Sequence, residues 1–271
     1  MKIGLRAHDY GKLPVEELLK RIKNDGFQTI QLAIPKAIVG VKSYYEVDDT
    51  LLQYIANTCK KYDIEIAVLG CYINPALMDE NMRRKEIDVF LRTMEYVKPI
   101  GASFIGTETT HFTYAEARRE EVFNTLVRSV AKMVEKAEHL QVDIGIEPVA
   151  SHTLNTPELT KKLLDTIQSD RLKIIFDPVN LLTIHNIKTQ EQLWERCFEG
   201  FGEKICALHM KGIKVNQEGL LEKTSLKQGE VDFSKIIHWI EQYKPGISLL
   251  REEISPSEAQ SDREYISSLF S

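Results

Sequence analysis

The chain has 271 residues, 43% of them hydrophobic and 28% charged, with a formal net charge of −5 and a pI near 5.9. That composition belongs to a globular chain able to bury a sizeable core, and its acidic balance argues against a general nucleic-acid binder, which needs a basic face. No window approaches the ~18 consecutive apolar residues of a membrane span. The opening Met-Lys-Ile-Gly-Leu-Arg runs straight into a strand, with no signal-peptide core. The four cysteines show no Cys-x-x-Cys spacing, so a reduced, cytoplasmic setting is expected.

In chain order, residues 3–6 read as a first strand and 15–24 as the helix after it, with Leu18, Leu19 and Ile22 on one face and Gly26 as its stop signal. A second strand covers 27–33, and Asp48 and Asp49 lead into a helix over 51–62. The run 64–72 is too continuously apolar for a half-exposed strand and is expected to be buried on both faces. An amphipathic helix over 81–97, stopped near Pro99 and Gly101, precedes a fourth strand at 103–106 and a long helix over 114–139. Strand five is 142–147. Thr156-Pro157-Glu158 then combines an N-cap, a proline at the first helical position and an acid in the first turn. Strands six and seven are 172–177 and 205–210. The polar segment 211–232 is expected to be a long loop over the mouth of the fold, followed by a helix at 233–243, an eighth strand at 247–253 and a short helix from Glu258.

Eight alternating strand–helix units over about 250 residues is the arithmetic of a (β/α)8 barrel. The expectation is therefore an α/β chain forming a single TIM barrel, one domain over 1–271. An open doubly wound sheet is the alternative, but no Gly-x-Gly-x-x-Gly follows the first strand and no Walker loop is present.

Four of the apolar runs deliver a metal-competent side chain just where they stop: Ile-Gly-Ile-Glu147-Pro, Ile-Ile-Phe-Asp177-Pro, Ala-Leu-His209-Met-Lys and Leu-Leu-Arg-Glu252-Glu. Singly, each has an ordinary explanation: a rim ion pair, a turn before proline or a hydrogen-bonded core histidine. Together, at consecutive strand ends of a closed barrel, they aim three acids and an imidazole into one crevice. Like charges there repel and lose hydration at a cost of several kcal/mol, which a bound cation removes. Such a mixed oxygen and nitrogen set suits a divalent ion, Mn2+ foremost, with Mg2+, Co2+ or Zn2+ as alternatives. Two carboxylates beside such an ion suit proton transfer through an enediolate: one glutamate takes a proton from carbon and the other returns one. Return on the opposite face is epimerisation, and return at the neighbouring carbon is isomerisation.

Over nearly its whole length the chain resembles the sugar phosphate isomerase/epimerase group of xylose isomerase-like barrels. The resemblance rests on Ile-Glu147-Pro, Phe-Asp177-Pro-Val-Asn180, His209-Met-Lys211, Gln228-Gly229-Glu230-Val231-Asp232-Phe233 and the acidic pair in Leu-Leu-Arg-Glu252-Glu253. It implies that Glu147, Asp177, His209 and Glu252 are the metal ligands, that Glu147 and Glu252 double as the acid–base pair, and that the substrate is a small sugar-like molecule. Where members of the group often carry Asp after the lysine, this chain has Gly212. Side chains alternate along a strand, so only one of Glu252 and Glu253 can face inward, and Glu252 is the choice.

Further candidates for substrate contact are His8, Tyr72, Glu108, His152, Asn180 and Lys211, with Arg6 and Asn74 near the same mouth. Arg251 has the blander role of neutralising Glu253 or the rim. A dehydratase, a lyase or a polyol-binding relative could use the same ligands. An apurinic endonuclease would need more ligands and a basic groove. Apolar positions on the outer helices would allow a homodimer, and neither nucleic acid nor membrane is expected as a partner.

Overall fold

The computed structural model describes residues 1–270. Eight strands run parallel: β1 (Lys2–Arg6), β2 (Thr29–Leu32), β3 (Glu65–Gly70), β4 (Ala102–Glu108), β5 (Asp143–Glu147), β6 (Leu172–Phe176), β7 (Ile205–Met210) and, after two others, β10 (Ser248–Arg251). They close into a barrel in the order β1-β10-β7-β6-β5-β4-β3-β2. Around it stand α1 (Val15–Asn24), the single turn α2 (Ile34–Ala37), α3 (Asp49–Tyr62), α4 (Glu80–Met94), the single turn α5 (Val97–Ile100) and α6 (Arg119–Leu140). The ring continues with α7 (Pro157–Ile167), α8 (Gln190–Phe201), α9 (Ser234–Tyr243) and α10 (Ala259–Ser268). This is the expected (β/α)8 architecture. Among the described residues no helix is long and apolar enough to cross a membrane.

Local chemistry sets the helix ends. Asp48, Asp79 and Thr156 accept from the backbone N–H groups of Leu51, Met82 and Leu159, capping α3, α4 and α7. α1 buries Leu18, Leu19 and Ile22, the stripe visible in the sequence. The helix expected over 81–97 ends at Met94, with Val97–Ile100 as a separate turn, and three further details differ from expectation. The long helix begins at Arg119 rather than 114, because Glu116–Arg118 forms a 3-10 turn ahead of it. α8 had no assigned span, although it buries Leu193, Trp194, Cys197 and Phe201. The segment 211–232 is not simply a loop: β8 (Gly212–Val215) and β9 (Leu221–Thr224) pair antiparallel as a hairpin. Its turn is held by the Asn216 side chain, which accepts from the N–H groups of Glu218 and Leu220, with Gly219 at φ 77°. Gly212 opens this hairpin. A Cβ there would lie 2.3 Å from the carbonyl oxygens of Thr224 and Ser225, so only glycine fits.

Alternation along the strands places the site. Val68, Phe104, Ile175, Ala207 and Leu250 form an apolar layer inside the barrel. Gly106 and Gly145 make room for it, since a Cβ at either would collide with Ile175. Two residues beyond Gly106, Gly145, Ile175, Ala207 and Leu250, on the same inward side, come Glu108, Glu147, Asp177, His209 and Glu252. The apolar layer is the floor, and the acids and imidazole stand on it at the C-terminal mouth.

Candidate metal centre

Glu147 ends β5, Asp177 follows β6, His209 lies in β7 and Glu252 follows β10. All four are buried, and one ligand atom from each falls within 4.8 Å of all the others. His209 Nδ1 sits 3.3 Å from Glu147 Oε2 and 3.3 Å from Glu252 Oε1, aligned for a hydrogen bond with neither. Asp177 Oδ2 is likewise buried without a hydrogen-bond partner, although Lys211 Nζ lies 3.0 Å away.

Neighbours hold these four in place. Gln31 on β2 presents its Oε1 to His209 Nε2 at 2.8 Å, while its amide nitrogen donates to the Tyr72 hydroxyl. A carbonyl oxygen only accepts, so Nε2 carries the hydrogen and, in the neutral ring, the Nδ1 lone pair faces the space between the carboxylates, where it could bind a cation. The Asn180 side chain donates to Glu147 Oε1, and its backbone N–H donates to Asp177 Oδ1 at 3.0 Å. Lys211 Nζ donates to Asn180 Oδ1 at 2.7 Å, and Arg6 reaches Glu252 Oε2 at 3.5 Å while donating to Asp9. Outside the barrel wall, Arg251 is buried against Asp262 of α10, with Nε donating to Oδ2 at 2.6 Å. Its Nη1 also donates to the Met210 and Glu252 carbonyls, the backbone beside two of the four cluster residues. Arg251 thus pairs with Asp262 rather than with Glu253 or the rim.

The electrostatics are those of a pocket short of positive charge. Asp9, Glu147, Asp177 and Glu252 outnumber Arg6 and Lys211, and without an ion a protonated His209 makes up part of the deficit, a role that a bound divalent cation would take over. Burial works to lower the His209 pKa, but the Glu252 and Glu147 carboxylates outweigh it and hold the ring up at about 9. Burial pushes the Glu147 carboxyl upward, with the Glu252 charge adding to the effect against His209. Glu252 goes the other way: burial opposes ionisation, yet His209, Lys211 and Arg6 pull it down to about 2. The donor set, the two ligand atoms without an aligned hydrogen bond and the excess charge together fit a divalent cation.

The remaining candidates divide. Asn180 and Lys211 touch the cluster directly. Tyr72 reaches it through Gln31, and the His8 ring stands edge-on to Tyr72 with centroids 6.2 Å apart. Glu108 is the register neighbour of Glu147, and His152 Nε2 lies 3.9 Å from Glu108 Oε2. Burial, Glu147 and Glu252 lift the Glu108 carboxyl to about 7. Burial lowers His8 and His152 to about 4, aided by Arg6 and His111 respectively, so both rings are neutral near pH 7. Each leaves a buried Nδ1 without a partner near the mouth. Asn74 is elsewhere: its backbone N–H and side-chain amide donate to Glu86. Glu253 turns away at φ 57° and pairs with Lys223 of the hairpin at 2.8 Å, which leaves Glu252 as the inward acid. Gln31 and Asp262 were not identified from the sequence.

A fructoselysine 3-epimerase from Escherichia coli O157:H7 is 21% identical over 218 residues, covering 78% of this chain and 76% of its own length. Among solved structures, a D-tagatose 3-epimerase-like protein superposes with a TM-score of 0.81 at 17% identity, over 99% of this chain and 97% of that one. The IOLI protein, solved with a binding zinc atom, gives a TM-score of 0.76 at 18% identity over 99% of this chain and 98% of its own. At such identities the superpositions speak for the fold. A model of the xylose isomerase-like TIM barrel family matches residues 19–269, nearly the whole chain. The chain belongs to the xylose isomerase-like TIM barrel family.

Proposed function

We propose that this protein is a divalent-metal-dependent isomerase or epimerase of a sugar or small hydroxy-ketone. The observation that carries the reading is the buried set of three carboxylates and one imidazole with two ligand atoms, Asp177 Oδ2 and His209 Nδ1, that make ion-pair contacts but no aligned hydrogen bond. The epimerases among its relatives, similar in sequence or fold, lend support. Glu147, Asp177, His209 and Glu252 would hold the ion, with manganese the first choice. A divalent cation in that position supplies Lewis-acid polarisation of a substrate carbonyl.

The chain's own groups do the rest. Glu252, kept ionised beside Lys211 and Arg6, takes the proton from the carbon next to the carbonyl, giving the enediolate. Glu147, whose carboxyl burial pushes toward the protonated form, returns a proton. Asn180 orients Glu147, and Lys211, anchored to Asn180 and Asp177, offers its ammonium to a substrate oxygen. His8, Tyr72, Glu108 and His152 line the approach and are assigned to substrate hydroxyls.

The test is proton exchange. A panel of ketoses and hydroxy-ketones is incubated in deuterated water with manganese-loaded protein and followed by NMR. At least one member is expected to acquire carbon-bound deuterium, to stop doing so on chelation and to resume when manganese is restored. Loss of water from the sugar instead would favour a lyase. Binding without exchange at any carbon would remove the enzyme reading.

A further inference from the structure

We propose that the preferred substrate is not a bare sugar but a ketose carrying an apolar substituent, which lies in a cavity beside the acid–base pair. This rests on the isomerase or epimerase reading of the cluster and adds the substrate class. A cavity of about 410 Å³ opens directly off the centre. Its inner end is formed by Asn180 and Lys211, the two residues that touch Glu147 and Asp177. Its walls are mostly apolar, with Ser151 and Thr183 as polar exceptions: Val149 comes from the segment after β5, Val179 and Leu182 from the segment after β6, and Ile213 from the hairpin.

A sugar hydroxyl facing Val149, Val179, Leu182 and Ile213 would give up water and gain no hydrogen bond from those side chains, which disfavours it there. A hydrocarbon substituent loses nothing of the kind and gains from leaving water. The dimensions agree, since pockets for organic ligands of moderate size run from about 300 to 1,000 Å³, mostly apolar with a few placed polar groups. The amide and charged groups lie at the two ends. Asn180 and Lys211 face the reacting carbons, and the Lys223–Glu253 ion pair, at 2.8 Å, ties the hairpin to the strand that presents Glu252. The two lysines are also occupied differently: Lys211 is anchored to Asp177 and Asn180, and Lys223 to Glu253. With both lysines near the cavity's ends, the four apolar side chains between them are what the geometry offers a substituent, and they point to an apolar group.

Calorimetric binding of a homologous series to manganese-loaded protein tests this. The probes are one ketohexose O-alkylated at its first or at its last carbon, from methyl to butyl. At one of the two positions the dissociation constant is expected to tighten about fourfold per methylene, equivalent to ~0.8 kcal/mol each. Val149→Asn and Ile213→Asn, both at half-buried positions that tolerate a polar side chain, are each expected to flatten that slope toward onefold. A flat or weakening series at both positions in the unaltered protein overturns the proposal, as does a slope that neither variant changes. These outcomes are independent of turnover. A flat series with proton exchange intact removes only the apolar substituent, whereas a steep series without exchange removes the catalytic reading and leaves the cavity assignment standing.

Discussion

Glu147→Gln is expected to lower turnover by about 10³-fold or more, within the range lost when a positioned acid–base group is removed. The substitution keeps the shape of the side chain, and its carbonyl oxygen can still accept from the Asn180 amide. What goes is a carboxylate that would both hold the cation and return a proton. Stability should move the other way. Burial already disfavours the ionised Glu147 side chain, and Glu252 and Asp177 add like charge. The variant without added metal is therefore expected to melt at or above the temperature of the unaltered protein, while its stabilisation by added manganese shrinks. Exchange NMR gives the rate and calorimetry the melting temperature. Full activity with metal bound would exclude Glu147 from the acid–base pair.

Asp262→Ala is expected to have the largest effect on stability, about 3–5 kcal/mol, the usual result of stranding one partner of a buried ion pair. For a chain of this size that corresponds to a fall in melting temperature on the order of 10 °C. Arg251 and Asp262 are 1% and 2% exposed, so the stranded guanidinium would have almost no access to water. Its Nη1 also supports the carbonyls of Met210 and Glu252, so the backbone carrying His209 and Glu252 loosens with it. Apolar replacement of both partners, Arg251→Leu with Asp262→Leu, should restore much of the stability because no unpaired charge remains. Denaturant unfolding of the single and double variants measures this. A single variant as stable as the parent would show that α10 does not brace the end of β10.

Much of this arrangement was legible in the sequence because it depends on short-range rules. Apolar runs ending in Glu147, Asp177, His209 and Glu252 mark strand ends. The period of two then puts each of these residues on the side of the inward Gly145, Ile175, Ala207 and Leu250. The same rule separates Glu252 from Glu253, and the structure adds that Glu253 leaves the barrel through a left-handed backbone conformation at φ 57°. Gln31 was not legible, because its role arises only when the barrel closes and brings it against His209, 178 positions later. Asp262 escaped notice for a related reason. It is an acid on a short helix near the C-terminus, and only the packing of α10 over β10 makes it the partner of Arg251. The hairpin had a signal that went unused: Asn216 and Gly219 flank a turn between two short alternating stretches, hidden by an otherwise polar segment. Asn74 shows the opposite failure, since position near a strand end did not decide which way the side chain goes, and Glu86 captured it.

The central claim, that four side chains from consecutive strand ends share one divalent ion, is open to a direct test by anomalous diffraction from crystals grown with manganese. A single strong peak is expected between Glu147, Asp177, His209 and Glu252, about 2.0–2.3 Å from a ligand atom of each. No peak in the crevice while manganese occupies other positions in the crystal, or a peak that leaves His209 and either glutamate outside bonding distance, would contradict it.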